Sequence, residues 1–216
     1  MIGSELVRLS ARCRQAGTSV AGTLARHLYF RLRGKDIFAC NGVRIHGLER
    51  LNLGGRLKIG FDGVGFSSRD DSTLLNVRGH LSFADDFAIG RGCRFDIGPQ
   101  AHARFGAGYV NPNTRFVIMN GITVGDGCAI SWDCQFVDDD FHQIDYPGRS
   151  QRASGRPIAI GRGVWIGSRV SVLKGAVIPD GCVVAGGSVV TSAFDEPGVL
   201  LAGNPARVVR TDVSWR

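Results

Sequence analysis

The sequence predicts an all-β solenoid in which each side of a coil takes six residues and each coil has three sides. The first observation is an aliphatic residue at every sixth position, at Ile160, Ile166, Val172, Ile178, Val184 and Val190. Six is the period of neither an α-helix nor a simple strand, and it is typical of a parallel β-helix. The second observation is a surplus of glycine, 31 of 216 residues, which suits repeated tight corners.

The third observation is a short sequence motif that recurs, with variation in its residues, from about residue 50 onward. Its anchors are Ile59, Phe83, Phe105, Val124, Ile160 and Ile178. The intervals between them are 24, 22, 19, 36 and 18 residues, so a coil of 18 residues fits the C-terminal half. The interval of 36 spans two coils' worth of chain, and the early coils are expected to contain bulges or longer corners. The alternative is an ordinary buried strand and helix whose apolar residues are spaced by six only by chance. That coincidence would have to hold over six consecutive hexads.

Three parts of the chain follow from this pattern. Residues 1–50 form a helical and basic segment, residues 51–210 the β-helix, and residues 211–216 a short tail. A hydrophobic content of 44% can bury the core of one domain. No apolar run reaches the roughly 18 residues of a membrane span. Arginines interrupt the N-terminal stretch where a signal peptide needs its apolar core, so we expect a cytoplasmic protein.

The first 35 residues hold seven basic residues and one acidic residue, which is +6 of the net charge of +7. Apolar residues recur there at threes and fours, which predicts one amphipathic helix; they are Ile2, Leu6, Leu9, Cys13, Ala16, Val20 and Leu24. Gly17 and Gly22 weaken this helix, and Gly34 is a candidate for its end. Two interpretations stay open: a cap packed on the first coil, or a basic face that rests on the anionic inner surface of the cytoplasmic membrane. Nucleic-acid binding is not expected, because the rest of the chain is close to neutral.

The six cysteines form no CxxC pair. Cys128 and Cys134 lie six residues apart, and Cys182 falls at the same place in its hexad. This spacing predicts small apolar residues stacked along one corner line. We therefore expect neither disulfides, in a reducing compartment, nor a required metal.

The least periodic segment is an excursion loop, residues 138–157. The hexad register that runs from Val124 to Phe136 stops there, and loops on rigid scaffolds often hold functional sites. Of the five histidines, His142 alone stands in such a loop among carboxylates. A neighbouring carboxylate can orient an imidazole and raise its basicity, as a general base for a hydroxyl requires. Asp138 and Asp140 are the candidates for that role; a solvated loop histidine is the alternative.

Three phrases carry a resemblance to a known family: ISWDCQFVDDDFHQI (130–144), GRPIAIGRGVWIGSRVSVLKGAVIPDGCVVAGGSVVTS (155–192) and AGNPARVVR (202–210). From about residue 57 to residue 210, the chain resembles the hexapeptide-repeat acyltransferases, in particular maltose, galactoside and bacterial-polysaccharide O-acetyltransferases. The resemblance implies a left-handed parallel β-helix and a homotrimer with active sites between adjacent subunits.

The resemblance also implies direct transfer of acetyl from acetyl-CoA to a sugar hydroxyl in a ternary complex. The acceptor would be a cell-surface polysaccharide or its precursor. His142 matches the family's catalytic histidine, and Asn111 matches an asparagine that contacts the acceptor. Some relatives have a glutamate just before the proline that re-enters the coil. Here residues 154–156 are Ser, Gly and Arg, which leaves the partner of the histidine open.

The CoA-binding positions are carried over by the same resemblance; they are Trp165, Ser168, Gly186, Thr191, Arg207 and Arg210. Family members place the pantetheine arm in a groove between neighbouring coils and arginines near the nucleotide phosphates, which a guanidinium suits. The lysine that commonly follows the threonine is Ser192 in this chain. The alternatives are a subunit contact for Trp165 and solvated charge for the arginines.

Three other functions remain to be weighed. An N-acetyltransferase for an amino sugar or a small antibiotic would use the same histidine, and the fold does not decide the acceptor. A non-catalytic β-helical scaffold would not need the DDDFH and GNPAR phrases. A γ-type carbonic anhydrase would need a close His-x4-His pair for zinc, which this sequence lacks.

Overall fold

The computed structural model describes residues 2–61, 65–68, 70–143, 145, 147–148 and 153–216, with side chains in the first helix from residue 7 onward. The described chain begins with two helices, α1 (Ile2–Gln15) and α2 (Val20–Arg31). Short strands follow, and they form three sheets that we name faces A, B and C. None of the described helices has both the length and the apolar character that a membrane crossing requires.

The strands pass through the three faces in strict rotation. Face A contains β1 (Ile37–Ala39), β4 (Leu57–Ile59), β7 (Phe87–Ile89), β10 (Gly108–Val110), β13 (Cys128–Ile130), β16 (Trp165–Ile166), β19 (Val183–Val184), β21 (Leu200–Gly203) and β22 (Ala206–Arg210). Face B contains β2 (Val43–His46), β5 (Thr73–Val77), β8 (Arg94–Ile97), β11 (Arg115–Ile118), β14 (Gln135–Val137), β17 (Ser171–Leu173) and β20 (Val189–Val190). Face C contains β3 (Leu51–Leu53), β6 (His80–Phe83), β9 (His102–Phe105), β12 (Gly121–Val124), β15 (Ile158–Ile160) and β18 (Val177–Ile178).

Each coil therefore takes one strand from each face, starting with β1, β2 and β3 as coil one. We call the corners between faces AB, BC and CA. Neighbouring strands pair in parallel. Among the strands of the described residues, the exception is the antiparallel hairpin of β21 and β22. This architecture is the predicted parallel β-helix. The six predicted hexad anchors point inward on successive faces, and none is more than 3% exposed.

Aromatic stacks fill the middle of the core. On face B the rings of Phe95, Phe116 and Phe136 lie 4.4 and 4.5 Å apart, centroid to centroid. On face C the rings of Phe83 and Phe105 are 5.2 Å apart. In-register pairing places these residues directly above one another. Each stacked pair contributes roughly 0.5–1.5 kcal/mol beyond the burial of its apolar area.

The aspartates that recur in the repeated motif accept backbone hydrogen bonds at the CA corner. The carboxylates of Asp86, Asp126 and Asp180 each accept a backbone N–H from an adjacent coil, at 2.7–2.9 Å. The donors are Arg56, Ala107 and Arg162. The corner turns leave these N–H groups without a strand partner, so the aspartate satisfies them.

One detail of the predicted register is wrong. Ile59 lies on face A, and its expected place below Phe83 on face C belongs to Leu53. Val124 pairs directly with Ile160, so the interval of 36 residues contains one coil and the excursion loop that was predicted within it. A hexad pattern identifies buried positions, but it does not identify the face of each one once corners differ in length.

The early irregularity is concentrated at one AB corner. Thirteen residues, 60–72, separate β4 from β5, whereas four residues, 111–114, separate β10 from β11. The buried Arg91 holds the longer corner to the rest of the chain. Its guanidinium donates to the carbonyls of Ser68 at 3.3 Å, Gly60 at 3.2 Å and Ala16 at 2.5 Å.

The N-terminal segment forms two helices and not the single helix predicted. Gly17 has a φ of +63°, which ends α1, and the Ser19 side chain accepts the N–H of Gly22 to cap α2. Cys13 and Ala16 are buried; the side chains of Ile2 and Leu6 lie outside the described residues. The first coil starts at Ile37, earlier than the predicted boundary after residue 50. The hexad spacing extends into this coil, at Ala39, Ile45 and Leu51.

The cysteines lie on more than one corner line, so that part of the prediction is wrong. Cys128 and Cys182 both lead into face A, whereas Cys134 leads into face B, in line with Cys93. Six residues advance the chain by one side of a coil and not by one coil. All six cysteines are buried free thiols. Burial raises the pKa of Cys93 to about 12 and that of Cys134 to about 11, so they stay neutral.

Candidate active site

The excursion loop leaves the solenoid at the BC corner of coil five, after β14, and returns at β15. A short antiparallel ladder closes its base: Asp140 N–H donates to the carbonyl of Ser154 at 3.0 Å, and Arg156 N–H donates to that of Asp138 at 2.9 Å. The ladder holds both ends of the loop against the corner. Residues 144, 146 and 149–152 of the predicted loop lie outside the described residues.

Asp138 anchors the base of the loop from below. Its side chain is fully buried, and its carboxylate accepts the N–H groups of Met119, Asn120 and Gly121 at 2.6–2.7 Å. These residues form the BC corner of coil four. The carboxylate is thus engaged with the neighbouring corner, and the described contacts do not join it to His142. Its predicted role in orienting the histidine is replaced by a structural one.

His142 is exposed and has one described side-chain contact. Its Nδ1 lies 3.3 Å from the main-chain carbonyl oxygen of Asp140. A carbonyl oxygen only accepts hydrogen bonds, so this contact favours the tautomer with the proton on Nδ1. The lone pair is then on Nε2. Asp140 was predicted to orient His142 through its carboxylate, and the structure shows the main-chain carbonyl in that position.

Lys174 binds the carboxylate of Asp140. The same ammonium donates to the carbonyls of Ser154 at 3.0 Å and Ala153 at 3.3 Å. It therefore ties the outgoing and returning ends of the loop together. Lys174 comes from the next coil, 34 residues after Asp140, and the sequence analysis missed it. The pairing of Val137 with Leu173 is the signal that places Lys174 beside Asp138.

Asp139 shapes the turn that precedes His142. Its carboxylate accepts the N–H of Phe141 at 2.7 Å and the side-chain amide of Asn120 at 3.1 Å, and Phe141 has a φ of +58°. Burial opposes ionisation of Asp139, but these hydrogen bonds, one from Ser154 and the charge of Lys174 outweigh it and lower its pKa.

Gly155 allows the two ends of the loop to approach this closely. A Cβ at this position would lie 2.0 Å from the side-chain nitrogen of Asn120 and 2.3 Å from a carboxylate oxygen of Asp139. Only glycine fits while these two side chains keep their hydrogen bond.

The AB corner presents a different surface, built from small residues and backbone. Ser168 and Gly186 lie one above the other: the carbonyl of Ser168 accepts the N–H of Gly187 at 2.8 Å, and a Cβ on Gly186 would lie 3.1 Å from that carbonyl oxygen. Asn111 belongs to the same corner, in line with Ser131. Together these positions leave an open edge along the stacked coils.

Aromatic and basic side chains lie on face A, and Trp165 is the one that contacts this edge. Trp165 is 41% exposed and donates from Nε1 to the hydroxyl of Ser131 at 3.3 Å. Trp215, which the sequence analysis missed, donates to the carbonyl of Gly163 at 2.7 Å, and its ring centroid is 6.2 Å from that of Trp165. Arg207 and Arg210 are exposed on β22.

The predicted site residues therefore fall into two groups within one chain. His142 and Thr191 belong to the BC corner; Asn111, Ser168 and Gly186 belong to the AB corner. The two corners are separated by one side of the prism, about 20 Å for six extended residues. Among the described residues, no group of three or more potential ligands could hold a metal ion.

No family model matches the chain, but individual relatives do. A Klebsiella pneumoniae protein named as an uncharacterized 24.8 kDa protein in the cps region is 34% identical over 211 residues, which is 96% of this chain and 94% of that one. The galactoside O-acetyltransferase of Escherichia coli K12 is 35% identical over 103 residues. That match covers 47% of this chain and 50% of the relative, so the chain aligns with only half of that enzyme.

Solved structures agree with these relatives. The hexapeptide-repeat acetyltransferase VCA0836 of Vibrio cholerae is 29% identical with a TM-score of 0.51, over 62% of this chain and 74% of that one. A maltose O-acetyltransferase of Clostridium difficile 630 is 30% identical with a TM-score of 0.50, over 58% and 66%. The N-acyltransferase AntD of Bacillus cereus, as its S84A mutant, has a TM-score of 0.56 over 88% and 90%. At 14% identity it shows the fold alone.

The coils, their hexad core and these likenesses agree. The fold is a left-handed parallel β-helix, and the chain belongs to the hexapeptide-repeat acetyltransferases.

Proposed function

We propose that the protein is an acetyl-CoA-dependent O-acetyltransferase that acetylates a sugar hydroxyl, with His142 as the general base. The observation that carries this proposal is the contact of His142 Nδ1 with the carbonyl of Asp140, on a loop whose two ends are held together by Lys174. Similarity to galactoside and maltose O-acetyltransferases supports the O-acetyl assignment.

In the proposed reaction, Nε2 of His142 takes the proton of the acceptor hydroxyl while its oxygen attacks the thioester carbonyl of acetyl-CoA. The new C–O bond forms, the C–S bond breaks, and the CoA thiolate leaves and recovers a proton from the imidazolium. The main-chain carbonyl of Asp140 stabilises the imidazolium, because Nδ1 keeps its proton throughout. Base catalysis supplies about 10²- to 10⁴-fold in rate, and substrate positioning and oxyanion stabilisation supply the remainder.

The AB corner is the proposed binding groove for acetyl-CoA. Ser168 and Gly186 offer backbone and small side chains to the extended pantetheine arm, and Trp165 offers an aromatic face beside it. Arg207 and Arg210 are proposed to bind the nucleotide phosphates. The proposed sites are completed by Thr191, which would contact CoA from the BC corner, and by Asn111, which would contact the acceptor.

A homotrimer would unite the two corners. Around a threefold axis, the BC corner of one chain can lie beside the AB corner of the next, and each interface would then hold one complete site. The separation of His142 from Ser168 by a whole side of the prism supports this arrangement. The expected readout is a trimer mass in sedimentation velocity.

The proposed acceptor is a surface polysaccharide or its precursor. A relative named for a cps region supports this choice. Acetylation would take place on the cytoplasmic side, where acetyl-CoA is available, with residues 1–35 against the inner face of the membrane.

The test is release of free CoA thiol from acetyl-CoA with a panel of mono- and oligosaccharides. His142→Ala should lower acceptor-dependent turnover by about 10²-fold or more while acetyl-CoA binding persists. His80→Ala serves as the control, since His80 is an exposed histidine on face C that stacks on His102. Full activity in His142→Ala would refute the assignment, and absence of acetyl-CoA binding in the folded wild type would favour a non-catalytic scaffold.

A further inference from the structure

Helix α2 turns its polar side toward the solenoid. Arg26 donates from Nε to the carbonyl of Ala39 at 3.0 Å, and His27 Nδ1 lies 2.9 Å from the carbonyl of Ile37. The His27 ring also stacks on Phe38 at 3.8 Å between centroids. β1 is the first strand of face A, so among the described residues one of its edges has no strand partner. The polar side chains of α2 satisfy that edge, which explains why they point inward.

Most apolar side chains of α2 point outward, whereas Phe30 is buried in the core. The exposed ones are Ala21, Leu24, Ala25, Leu28 and Tyr29, followed by Leu32 at the C-terminal cap. The leucines at 24, 28 and 32 are 40%, 60% and 78% exposed. These leucines are four residues apart, so the exposed apolar side chains make one continuous stripe, which we call the α2 outer stripe. It differs from the predicted stripe, whose members Cys13 and Ala16 are buried.

Basic side chains lie at the C-terminal end of the α2 outer stripe. Arg33 is exposed there, with its guanidinium 3.7 Å from the ring centre of Tyr29, and Arg31 is exposed and paired with Asp36 at 3.7 Å. Arg8, Arg12 and Arg14 are exposed on α1. The first 35 residues contain one acidic residue, Glu5. A second copy of the chain would bring the same positive charge against this face, whereas an anionic surface complements it.

We infer that the α2 outer stripe is a docking surface for an anionic lipid bilayer. The helix lies parallel to the bilayer plane, with its three leucines in the boundary between headgroups and acyl chains. The arginines contact the lipid phosphates. The inward and outward sides of α2 are distinct, so one helix both caps coil one and binds lipid. This surface determines location and does not depend on the role of His142.

The test is co-sedimentation of the full-length protein with vesicles. Wild type should bind phosphatidylcholine vesicles that contain about 30% phosphatidylglycerol, and bind pure phosphatidylcholine vesicles at least about 10-fold more weakly. The variant L24Q/L28Q/L32Q should lose about 10-fold or more of the binding to anionic vesicles. Glutamine is a good helix former, so α2 should persist in this variant.

A matched control replaces three exposed valines at the opposite end of the solenoid, in V177Q/V208Q/V209Q. This variant should bind anionic vesicles as wild type does. Circular dichroism and the thermal midpoint should show that both triple variants are folded. Raising the salt from about 50 to about 500 mM should weaken wild-type binding by about 10-fold, because salt screens the arginines.

Three outcomes would overturn the inference. One is equal wild-type binding to anionic and neutral vesicles. Another is unchanged binding of the leucine variant. The third combines two results: the wild-type protein does not bind vesicles, and its mass in sedimentation falls when the leucines are replaced. The stripe would then be an interface between chains.

Discussion

The AB and BC corners of the same solenoid differ in structure, and we propose a different role for each. The AB corner above coil four is short and repeats from coil to coil, so it presents backbone and small residues along a straight edge. The BC corner of coil five is interrupted by a loop, and this loop brings His142, Asp140 and Lys174 together. An extended ligand needs a regular edge, whereas proton transfer needs one side chain in a defined tautomer. Repetition of the coils provides the regular edge, and the excursion loop, which interrupts the repeat, provides the side chain for proton transfer.

The largest expected effect tests the base of the loop. Asp138→Ala leaves three N–H groups without their acceptor, one buried and two part-buried, and we expect a loss of about 3 kcal/mol or more in the free energy of unfolding. Asp126→Ala is the matched control, because Asp126 also accepts a corner N–H but is exposed; its loss should be about 1 kcal/mol or less. Urea unfolding measures both. Equal losses would show that burial of Asp138 is not the reason for its contribution.

The second prediction concerns Lys174, a positioning residue in the proposed mechanism. Lys174→Ala should lower kcat by about 10-fold with little change in the KM for acetyl-CoA, since the loop is loosened and the AB corner is untouched. Lys174→Arg should restore part of kcat, because a guanidinium can also bind Asp140. A purely structural role would instead lower the thermal midpoint of both variants and leave kcat per folded enzyme unchanged.

The third prediction concerns the opposite corner. Trp165→Ala should raise the KM for acetyl-CoA by about 5-fold with kcat nearly unchanged, because it removes an aromatic contact that binds ground state and transition state alike. Steady-state kinetics with the acceptor at saturation measures this difference. A fall in kcat without a change in KM would place Trp165 in the chemistry of the BC corner and erase the contrast between the two corners.

The smallest effect is a pH dependence at Asp139. Its pKa in the folded protein is lowered from the ordinary value of 3.8, so its contribution to stability is present above pH 3.8 and is lost as the pH falls through the folded pKa. Asp139→Asn should therefore lower the thermal midpoint slightly at pH 7, and the gap to wild type should narrow below pH 3.8. Water screens this carboxylate, which limits the effect. A gap that widens in acid would contradict the assignment.

Much of the fold could be predicted from local patterns. The hexad anchors from Ile160 to Val190 follow from periodicity, because each coil there has the same length and each inward position must be apolar. The loop around His142 could be located because the same periodicity stops there. The predicted face of a residue was wrong where corner lengths varied. Ile59 was placed on the wrong face, because a rule of six residues per side does not account for the extra residues at 60–72.

The sequence by itself determined the solenoid, its buried positions and the loop that holds the candidate base, since these depend on neighbours within one coil. The tertiary structure alone decided the partners that lie one or more coils apart. Lys174 reaches Asp140 across 34 residues, and Asp138 reaches the corner at Met119. Stacking also decided that α2 turns its leucines outward, because the open edge of β1 attracts the polar side of the helix. These contacts arise from the stacking register of the coils, which the order of residues does not show.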